Sequence, residues 1–258
     1  MKTGVLTDPY GNLKSAVIAK SAPPLDANHI YAYDCNEISG STVLVNKGSN
    51  SGGNLTLQGV EGTNYALGQA VMGRNTKCIR NLTFGSGGSN GGAISGAVSF
   101  SSASGFTLEI VACTDLSQWS SALGQTGSLM YIGNGSEYFT VLSTYYPQIP
   151  RGAALINGFG SIGTPGIITY IPNNGGMAHI MCTFDPSNTS IKQYINGALI
   201  DFTTPTTANN YVSPFTAISI GTSTNDGTFS GWFMYARISN IVRSAAYASQ
   251  TAEAFLAM

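Results

Sequence analysis

Two carboxylates held close together can hydrolyse a glycosidic bond, so the acidic side chains are candidate catalytic groups. A retaining mechanism needs them ~5–5.5 Å apart, and an inverting mechanism needs roughly 6.5–9.5 Å. Glu109 stands in the apolar run FTLEIVA without a second acid nearby. Acids that are distant in sequence could still meet in the fold, so this argues against one hydrolase mechanism rather than every enzyme. The glutamates of the chain are Glu37, Glu61, Glu109, Glu137 and Glu253.

The two histidines, His29 and His179, begin the β-type runs HIYAYDC and HIMCTF. In such runs a hydrogen-bonded structural histidine is favoured over a general base. No Gly-x-Ser-x-Gly is flanked by a strand and a helix, and no helix opens behind the glycine-rich stretches GSGGSNGG and NGFGSIG. A phosphate cradle is therefore not predicted. We predict that the protein is not an enzyme.

Aromatic residues in two loop-like stretches offer a binding chemistry instead. Sugars stack their apolar C–H faces on aromatic rings and hydrogen-bond to amides and charged groups. The stretches DLSQWSSALGQTGS and STYYPQIPRG supply the candidate glycan-binding residues Trp119, Tyr145, Tyr146 and Arg151. The alternative for these aromatic residues is packing beneath a long loop or at a subunit contact.

The charge balance excludes whole classes of partner. Charged residues make up 9% of the 258 residues, against roughly 25% in an ordinary soluble domain, and the formal net charge is −1. Neither nucleic acid nor an anionic membrane surface would attract such a chain. The uncharged stretch 152–184 is broken by Gly, Pro and Asn, so no membrane-spanning helix is predicted.

The cysteines and the amino terminus suggest a compartment. Cys35, Cys78, Cys113 and Cys182 are too widely spaced for a zinc site, and we interpret them as buried thiols. Two disulfides are the alternative. The opening MKTGVLTDPYGNLKSAV contains no apolar run of signal-peptide length. Export by the ordinary secretory route is therefore not predicted, and this disfavours disulfides.

Short β-prone runs separated by turn clusters organise the chain from His29 onward. Asn196-Gly197, between IKQYI and ALI, predicts a two-residue hairpin inside a three-strand meander over 178–203. SAAYASQTAEAFLAM at the carboxyl end predicts one short helix. Pro23 and Pro24 impose an extended path, so residues 1–28 are predicted to form an arm and residues 29–258 one domain. Sixteen strands are predicted, at 29–35, 42–46, 54–60, 66–72, 78–84, 94–100, 106–113, 128–133, 138–145, 153–158, 166–171, 178–184, 190–195, 198–203, 216–221 and 229–241. Such a pattern predicts an all-β sandwich or barrel.

Four blocks of the sequence resemble the laminin-G-like branch of the concanavalin A-like lectin and glucanase superfamily. The most specific block reads His179-Ile-Met-Cys-Thr-Phe184, Asp185, then Tyr194-Ile-Asn196-Gly197. The other blocks are YAYDCNEISGSTVLVNKGSNSGGNLTLQG, FTLEIVACTD and AISIGTSTNDGTFSGWFMYARISNIVRSA. Together they cover about residues 29–255. The resemblance implies a jelly roll of two packed antiparallel sheets, with the arm in front of it and the helix behind it.

The resemblance also implies what to look for at the sites. Glycosidases of the superfamily share a Glu-x-Asp-x-x-Glu strand motif, which is missing from this sequence. Many laminin-G-like domains hold calcium at the rim, where Asp115, Asn225 and Asp226 are the candidates here. Calcium takes 6–8 oxygen ligands, and no acid cluster supplies them, so we predict no cofactor. Trp232, in the resemblance's closing strand GWFMYARI, is assigned to the core.

Fold and composition together predict a non-enzymatic structural protein on the surface of a virion, most simply a bacteriophage capsid decoration protein or a tail or fibre component. Such a protein would be made in the host cytoplasm and displayed outside after lysis, which explains an adhesion-type fold without an export signal. The arm would anchor it to other virion proteins or to copies of itself. The alternative is a carbohydrate-binding lectin or adhesion module that contacts cell-surface glycans. A glycoside hydrolase is the third hypothesis.

Overall fold

The computed structural model describes most of the chain from Ala22 to Leu256. Within that part there are eighteen strands and one helix. The described residues are 22–70, 77–82, 91–95, 98–101, 103–114, 125–134, 138–146, 149–157, 169–170, 177–188, 190–203, 214–223 and 227–256. The strands are β1 His29–Tyr33, β2 Val43–Leu44, β3 Leu55–Leu57, β4 Tyr65–Ala70, β5 Lys77–Asn81, β6 Ala93–Ser95, β7 Phe106–Thr114, β8 Gln125–Gly133, β9 Tyr138–Tyr146, β10 Ile149–Asn157, β11 Thr169–Tyr170, β12 Ala178–Asp185, β13 Ser190–Ile195, β14 Ala198–Thr203, β15 Ala217–Ile220, β16 Thr222–Ser223, β17 Gly227–Thr228 and β18 Gly231–Ser239; the helix is α1 Ala245–Leu256.

These strands form two eight-stranded sheets in which the neighbouring strands are antiparallel. The first sheet has the order β14-β13-β12-β7-β18-β5-β4, and β1 joins it by pairing with β18 beyond the end of β5. The second sheet has the order β11-β10-β9-β8-β15-β6-β3-β2. The short strands β16 and β17 pair with each other. The predicted meander over 178–203 is the edge of the first sheet, β12-β13-β14.

Side chains from both sheets meet in one core. The ring of Phe106, on β7 of the first sheet, stands edge-on to Phe139, on β9 of the second sheet, with centroids 5.2 Å apart. Phe215 also meets Phe106 edge-on at 5.6 Å. Each such pair contributes ~0.5–1.5 kcal/mol beyond the burial of its area. The two sheets therefore contact each other through these aromatic rings, which belong to one shared core.

Helix α1 covers the outer face of the first sheet. Ser244 begins the helix, since its hydroxyl accepts a hydrogen bond from the backbone N–H of Tyr247 at 3.2 Å. The helix buries one stripe against the sheet, and Gly197 of the predicted hairpin lies directly beneath it. A β-carbon on Gly197 would stand 2.7 Å from the Cα of Ser249, and its φ is +82°. The buried stripe is Ala248, Thr251, Ala252 and Phe255.

The coarse predictions from the sequence are confirmed. The chain is mostly antiparallel β-strand with one short carboxyl-terminal helix, and Asn196 and Gly197 both have the positive φ of the predicted hairpin turn. All four cysteines are buried thiols rather than disulfides. Burial raises the pKa of Cys78 and of Cys182 to about 12. The finer class, a concanavalin A-like jelly roll, remains a prediction.

Three features differ from the predictions or lie outside the described residues. Trp232 is half-buried rather than central in the core, because it lies on the outer face with the guanidinium of Arg80 4.8 Å from its ring centroid. Within the run STYYPQIPRG, β9 ends at Tyr146 and β10 begins at Ile149, so β10 starts four residues earlier than the strand predicted at 153–158. The arm predicted over 1–28 lies outside the described residues up to position 21. Residues 22–28, by contrast, are described and contact the first sheet.

Candidate functional site

A polar groove of about 580 Å³ runs beside β1. It is lined by Tyr31, Ser49, Asn50, Ser51, Val98 and Ser99, and we call it the Tyr31 groove. Tyr31 and Val98 are buried at its floor, whereas Ser51 and Ser99 are exposed at its sides. The backbone N–H of Ser99 donates to the Tyr31 hydroxyl at 3.1 Å, which fixes the phenol. None of the six lining residues carries a charge.

The loop between β2 and β3 forms one wall of the groove, and the Asn46 side chain holds it in shape. The amide oxygen of Asn46 accepts hydrogen bonds from the backbone N–H groups of Ala32 and Gly48, both at 2.9 Å. Its amide nitrogen donates to the carbonyls of Asn50 and Gly52, again at 2.9 Å. All four hydrogen-bonding positions of this side chain are therefore used, three within the loop and one with β1.

The same loop is attached to β1 by its own backbone. The N–H groups of Ser49 and Asn50 donate to the carbonyls of His29 and Ile30 at 2.8 and 3.1 Å. Contact is so close at Gly53 that a β-carbon there would stand 2.4 Å from the Tyr31 ring. Only glycine fits such an approach, and the φ of +74° at Gly53 also favours glycine. The wall is therefore preformed.

The exposed side chains of the wall keep their hydrogen-bonding capacity. Within the described part of the chain, the side chains of Asn50, Ser51 and Ser99 have no hydrogen-bond partner, whereas Ser49 donates its hydroxyl to the Ala27 carbonyl at 3.1 Å. Amide and hydroxyl groups can both donate and accept. The groove therefore presents uncharged hydrogen-bond donors and acceptors on a preformed loop.

A second concentration of polar groups lies where α1 and segment 22–28 meet the first sheet, and most of its side chains are buried. We call it the helix-covered cluster: Asp26, His29, Glu109, His179, Arg237, Arg243 and Tyr247. Glu109 lies opposite Arg237 on β18 and is 3% exposed, while His179 is fully buried on β12. Glu109 has no acid near it in the sequence, and the fold surrounds its carboxylate with histidines, arginines and a phenol.

Asp26, His29, Tyr247 and Glu109 form a chain of hydrogen bonds in which every bond is donated towards Glu109. His179 Nε2 lies 2.7 Å from Glu109 Oε1, and the Tyr247 hydroxyl donates to Glu109 Oε2 at 3.1 Å. Because the Tyr247 proton is used there, its oxygen accepts from His29 Nε2, which is 2.9 Å away. The other nitrogen of His29 then accepts the backbone N–H of Asp26 at 3.0 Å. This order requires a neutral His29 and an ionised Glu109.

Arginines complete the cluster. Arg243 holds the Asp26 carboxylate with two hydrogen bonds of 2.7 Å, while its guanidinium lies 4.4 Å from the Tyr247 ring centroid. Arg237 donates to the carbonyl of Pro23 at 2.8 Å and lies 4.8 Å from the ring centroid of Phe255. Segment 22–28 and helix α1 are therefore attached to the same face of the first sheet.

The pKa values follow from these contacts. Burial lowers the pKa of His29, and the positive charges of Arg243 and Arg237 lower it further, although Asp26 and Glu109 oppose them. For Glu109, burial acts to raise the pKa, but the His179 hydrogen bond and the surrounding positive charges lower it overall. The hydrogen bonds from Arg243 hold the pKa of Asp26 well below its ordinary value.

The cluster contains types of residue that catalyse proton transfer, but a substrate would need access to them. Glu109 and His179 are buried between the sheet and α1, and the ring of Phe255 stacks on His179 at 5.7 Å. As the sequence predicted, both histidines are hydrogen-bonded residues of strands. The structure therefore gives the cluster a role in attaching the helix and segment 22–28.

The glycan-binding residues predicted from the sequence are only partly placed. Tyr145 and Tyr146 end β9 and Arg151 lies on β10, so their backbones are neighbours: Tyr146 pairs with Ile149 and Arg151 with Thr144. Their side chains lie outside the described residues. So do Trp119 and the calcium candidates Asp115, Asn225 and Asp226, and all of these sites stay predictions. Among the described residues no group of three or more acids, histidines or cysteines could hold a metal ion.

The Tyr31 groove was not found from the sequence. The stretch GSNSGGN lies between the strands predicted at 42–46 and 54–60, and its glycines and asparagines are typical of a turn. The signal that distinguishes it is the pair formed by Asn46, just before the stretch, and Asn54, at its end. Asn54 accepts the backbone N–H of Asn46 at 2.9 Å. Only contacts with β1 and with residues 98–99 turn this loop into the wall of a groove.

Comparison with known proteins gives neighbours in structure alone. No family model and no curated protein matches the sequence. Trypanosoma rangeli sialidase, solved with the inhibitor DANA and with sialic acid, is similar with TM-scores of 0.59 and 0.58 at 12% identity. These likenesses cover 91% and 93% of this chain but 36% and 37% of the sialidase chains. The chain thus spans about a third of the sialidases that it matches.

A second neighbour is matched over its whole length. It is domain 4 of AbnA, a GH43 extracellular arabinanase from Geobacillus stearothermophilus, solved in complex with arabinotriose. The TM-score is 0.50 at 15% identity, and the likeness covers 88% of this chain and 100% of that domain. At such identities the similarity shows the fold only. Among the described residues no helix is long and apolar enough to cross a membrane.

Proposed function

We propose that this protein is a non-catalytic carbohydrate-binding module. The observation that carries the proposal is the likeness to the whole of arabinanase domain 4, a unit that was solved with a bound arabinotriose. A domain matched from end to end supports a binding role better than a partial match to an enzyme. The likeness to the sialidases covers about a third of those chains, so it supports no sialidase activity here.

The surface chemistry agrees with this function. Sugars offer many neutral hydroxyl groups, which hydrogen-bond to amides and hydroxyls without a charged partner. With 9% charged residues, the chain provides such groups mainly through Ser, Thr, Asn and Tyr. Its largest described concentration of ionisable groups is buried beneath α1 rather than exposed to a ligand.

The other two hypotheses from the sequence receive less support. The similar structures named above are sialidases and an arabinanase domain, so they favour sugar binding over a structural role in a virion. A virion location and virion partners stay predictions. Hydrolysis would need an accessible acid and base, and Glu109 is hydrogen-bonded on both oxygens beneath α1.

Binding to a panel of polysaccharides tests the proposal. Purified protein should be retained by at least one of immobilised arabinan, xylan, mannan, β-glucan and a sialylated glycan, with no release of reducing ends on prolonged incubation. Acid-unfolded protein serves as the control for non-specific adsorption. Absence of retention on every surface would refute carbohydrate binding, and catalytic release of sugar would refute the non-catalytic role.

A further inference from the structure

We propose that the Tyr31 groove is the sugar-binding site and that it selects a neutral saccharide. This inference rests on the proposed function and adds to it a location and a ligand class. At about 580 Å³ the groove has the volume of a small-molecule site, for which ~300–1,000 Å³ is usual. It differs from the glycan-binding residues that the sequence suggested.

Preorganisation is the first reason for choosing this groove. Side chains that are already held in place lose less conformational entropy when a ligand binds. Here Asn46 uses both its amide oxygen and its amide nitrogen to fix the loop, and the backbone of Ser49 and Asn50 is bonded to β1. The exposed groups on the wall are therefore presented in a fixed arrangement before any sugar arrives.

The second reason is unused hydrogen-bonding capacity. In the described structure the side chains of Asn50, Ser51 and Ser99 are not engaged with any other residue. They line one groove and can donate or accept, as sugar hydroxyls also can. Tyr31 and Val98 are buried and close the bottom of the groove, so a sugar would be held there mainly by hydrogen bonds to its walls.

The third reason concerns charge and sets the ligand class. An acidic sugar is usually held by an arginine or lysine that faces its carboxylate. None of the described lining residues of the groove is charged, and Lys47, in the same loop, donates a hydrogen bond to Asp34 at 2.6 Å. A neutral saccharide can satisfy the amide and hydroxyl groups without leaving a carboxylate unpaired. The ligand is therefore neutral rather than sialylated.

Calorimetric titration of the whole chain tests the site. The probes are arabinotriose, mannotriose and cellotriose, with sialyllactose as the acidic comparison. Asn50→Ala and Ser51→Ala should each weaken the binding of a neutral probe by about 3- to 10-fold, the effect of losing a hydrogen bond. Raising NaCl from about 50 mM to about 500 mM should change the affinity less than about two-fold, because no ion pair forms.

Two matched substitutions control for general effects. Asn36 and Ser104 are exposed and do not line the groove, so Asn36→Ala and Ser104→Ala should leave the affinity unchanged. If a neutral probe binds and the groove variants behave like these controls, the location is wrong while the proposed function stands. Binding of sialyllactose alone would overturn the neutral class. If no probe binds, this inference is refuted, whereas the proposed function is refuted only when the polysaccharide panel also shows no retention.

Discussion

The Tyr31 groove and the helix-covered cluster lie on either side of the same strand. β1 contributes His29 to the cluster and, two residues later, Tyr31 to the groove. One region is exposed, uncharged and built from backbone, amides and hydroxyls. The other contains two acids, two arginines and two histidines, and all of these except Asp26 at its margin are buried. The comparison shows how a chain with few charges divides them: ionisable groups attach the helix, and neutral groups face the solvent.

The two regions should therefore respond differently to pH and to mutation. The stability of the cluster depends on ionised carboxylates and a neutral imidazole. None of the six described residues that line the groove is an acid, a histidine, a lysine or an arginine. Each of the following experiments measures both the free energy of unfolding and sugar affinity, so that the two regions can be separated.

Acidification should produce the largest effect. The pKa of His29 is lower in the folded protein than its ordinary value of 6.5, so the unfolded chain binds a proton more readily as pH falls below about 6.5. The pKa values of Glu109 and Asp26 are also lowered, so their stabilising effect is lost as pH falls below about 4.5 and 3.8. All three protonation steps lower the free energy of unfolding as the pH falls. Urea denaturation between neutral and acidic pH should show stability falling in two stages.

The variant His29→Gln identifies the first stage. Without a titrating imidazole at this position, the fall that begins near pH 6.5 should become shallower, while the later fall caused by the carboxylates remains. If the variant and the parent lose stability with the same pH dependence above about pH 5, the neutral state assigned to His29 is wrong.

Removing the central charge of the cluster should have the next largest effect. Glu109→Gln leaves Arg237 buried without its opposite charge and disturbs the bonds from His179 and Tyr247. Weakening the hydrogen bonds to a buried charged group in this way costs about 1.5–3 kcal/mol of unfolding free energy. Glu253→Gln, on the exposed side of α1, is the matched control and should change stability by less than about 0.5 kcal/mol. Equal effects of the two would contradict the assigned role of Glu109.

The smallest effect on stability should come from the groove. Asn46→Ala removes four hydrogen bonds from a surface loop, where water can replace part of them, so a loss of about 1–2 kcal/mol is expected. The effect on sugar affinity should be larger than for Glu109→Gln, because the wall loses its fixed shape. If Asn46→Ala retained full affinity, preorganisation of the wall would not matter for binding.

Local sequence patterns predicted the elements well. The alternation of β-prone runs and turns located the strands, and Asn196-Gly197 predicted a hairpin that the positive φ values confirm. These signals are local, since turn chemistry depends on a few neighbouring residues. The same patterns were misleading at STYYPQIPRG, where two strands pair with only residues 147–148 between them. Proline and glycine there favoured a loop, and the pairing with neighbouring strands outweighed them.

The sequence by itself determined the class of the fold and the neutral character of the surface, because strand periodicity, turn residues and charge content are properties of the chain alone. Only the tertiary structure decided where chemistry can occur. Glu109 and Tyr247 are 138 residues apart, and Tyr31 and Ser99 are 68 apart. Both contacts arise when β1 is paired with β18 and α1 is packed on the sheet, and no local pattern encodes such distant pairings.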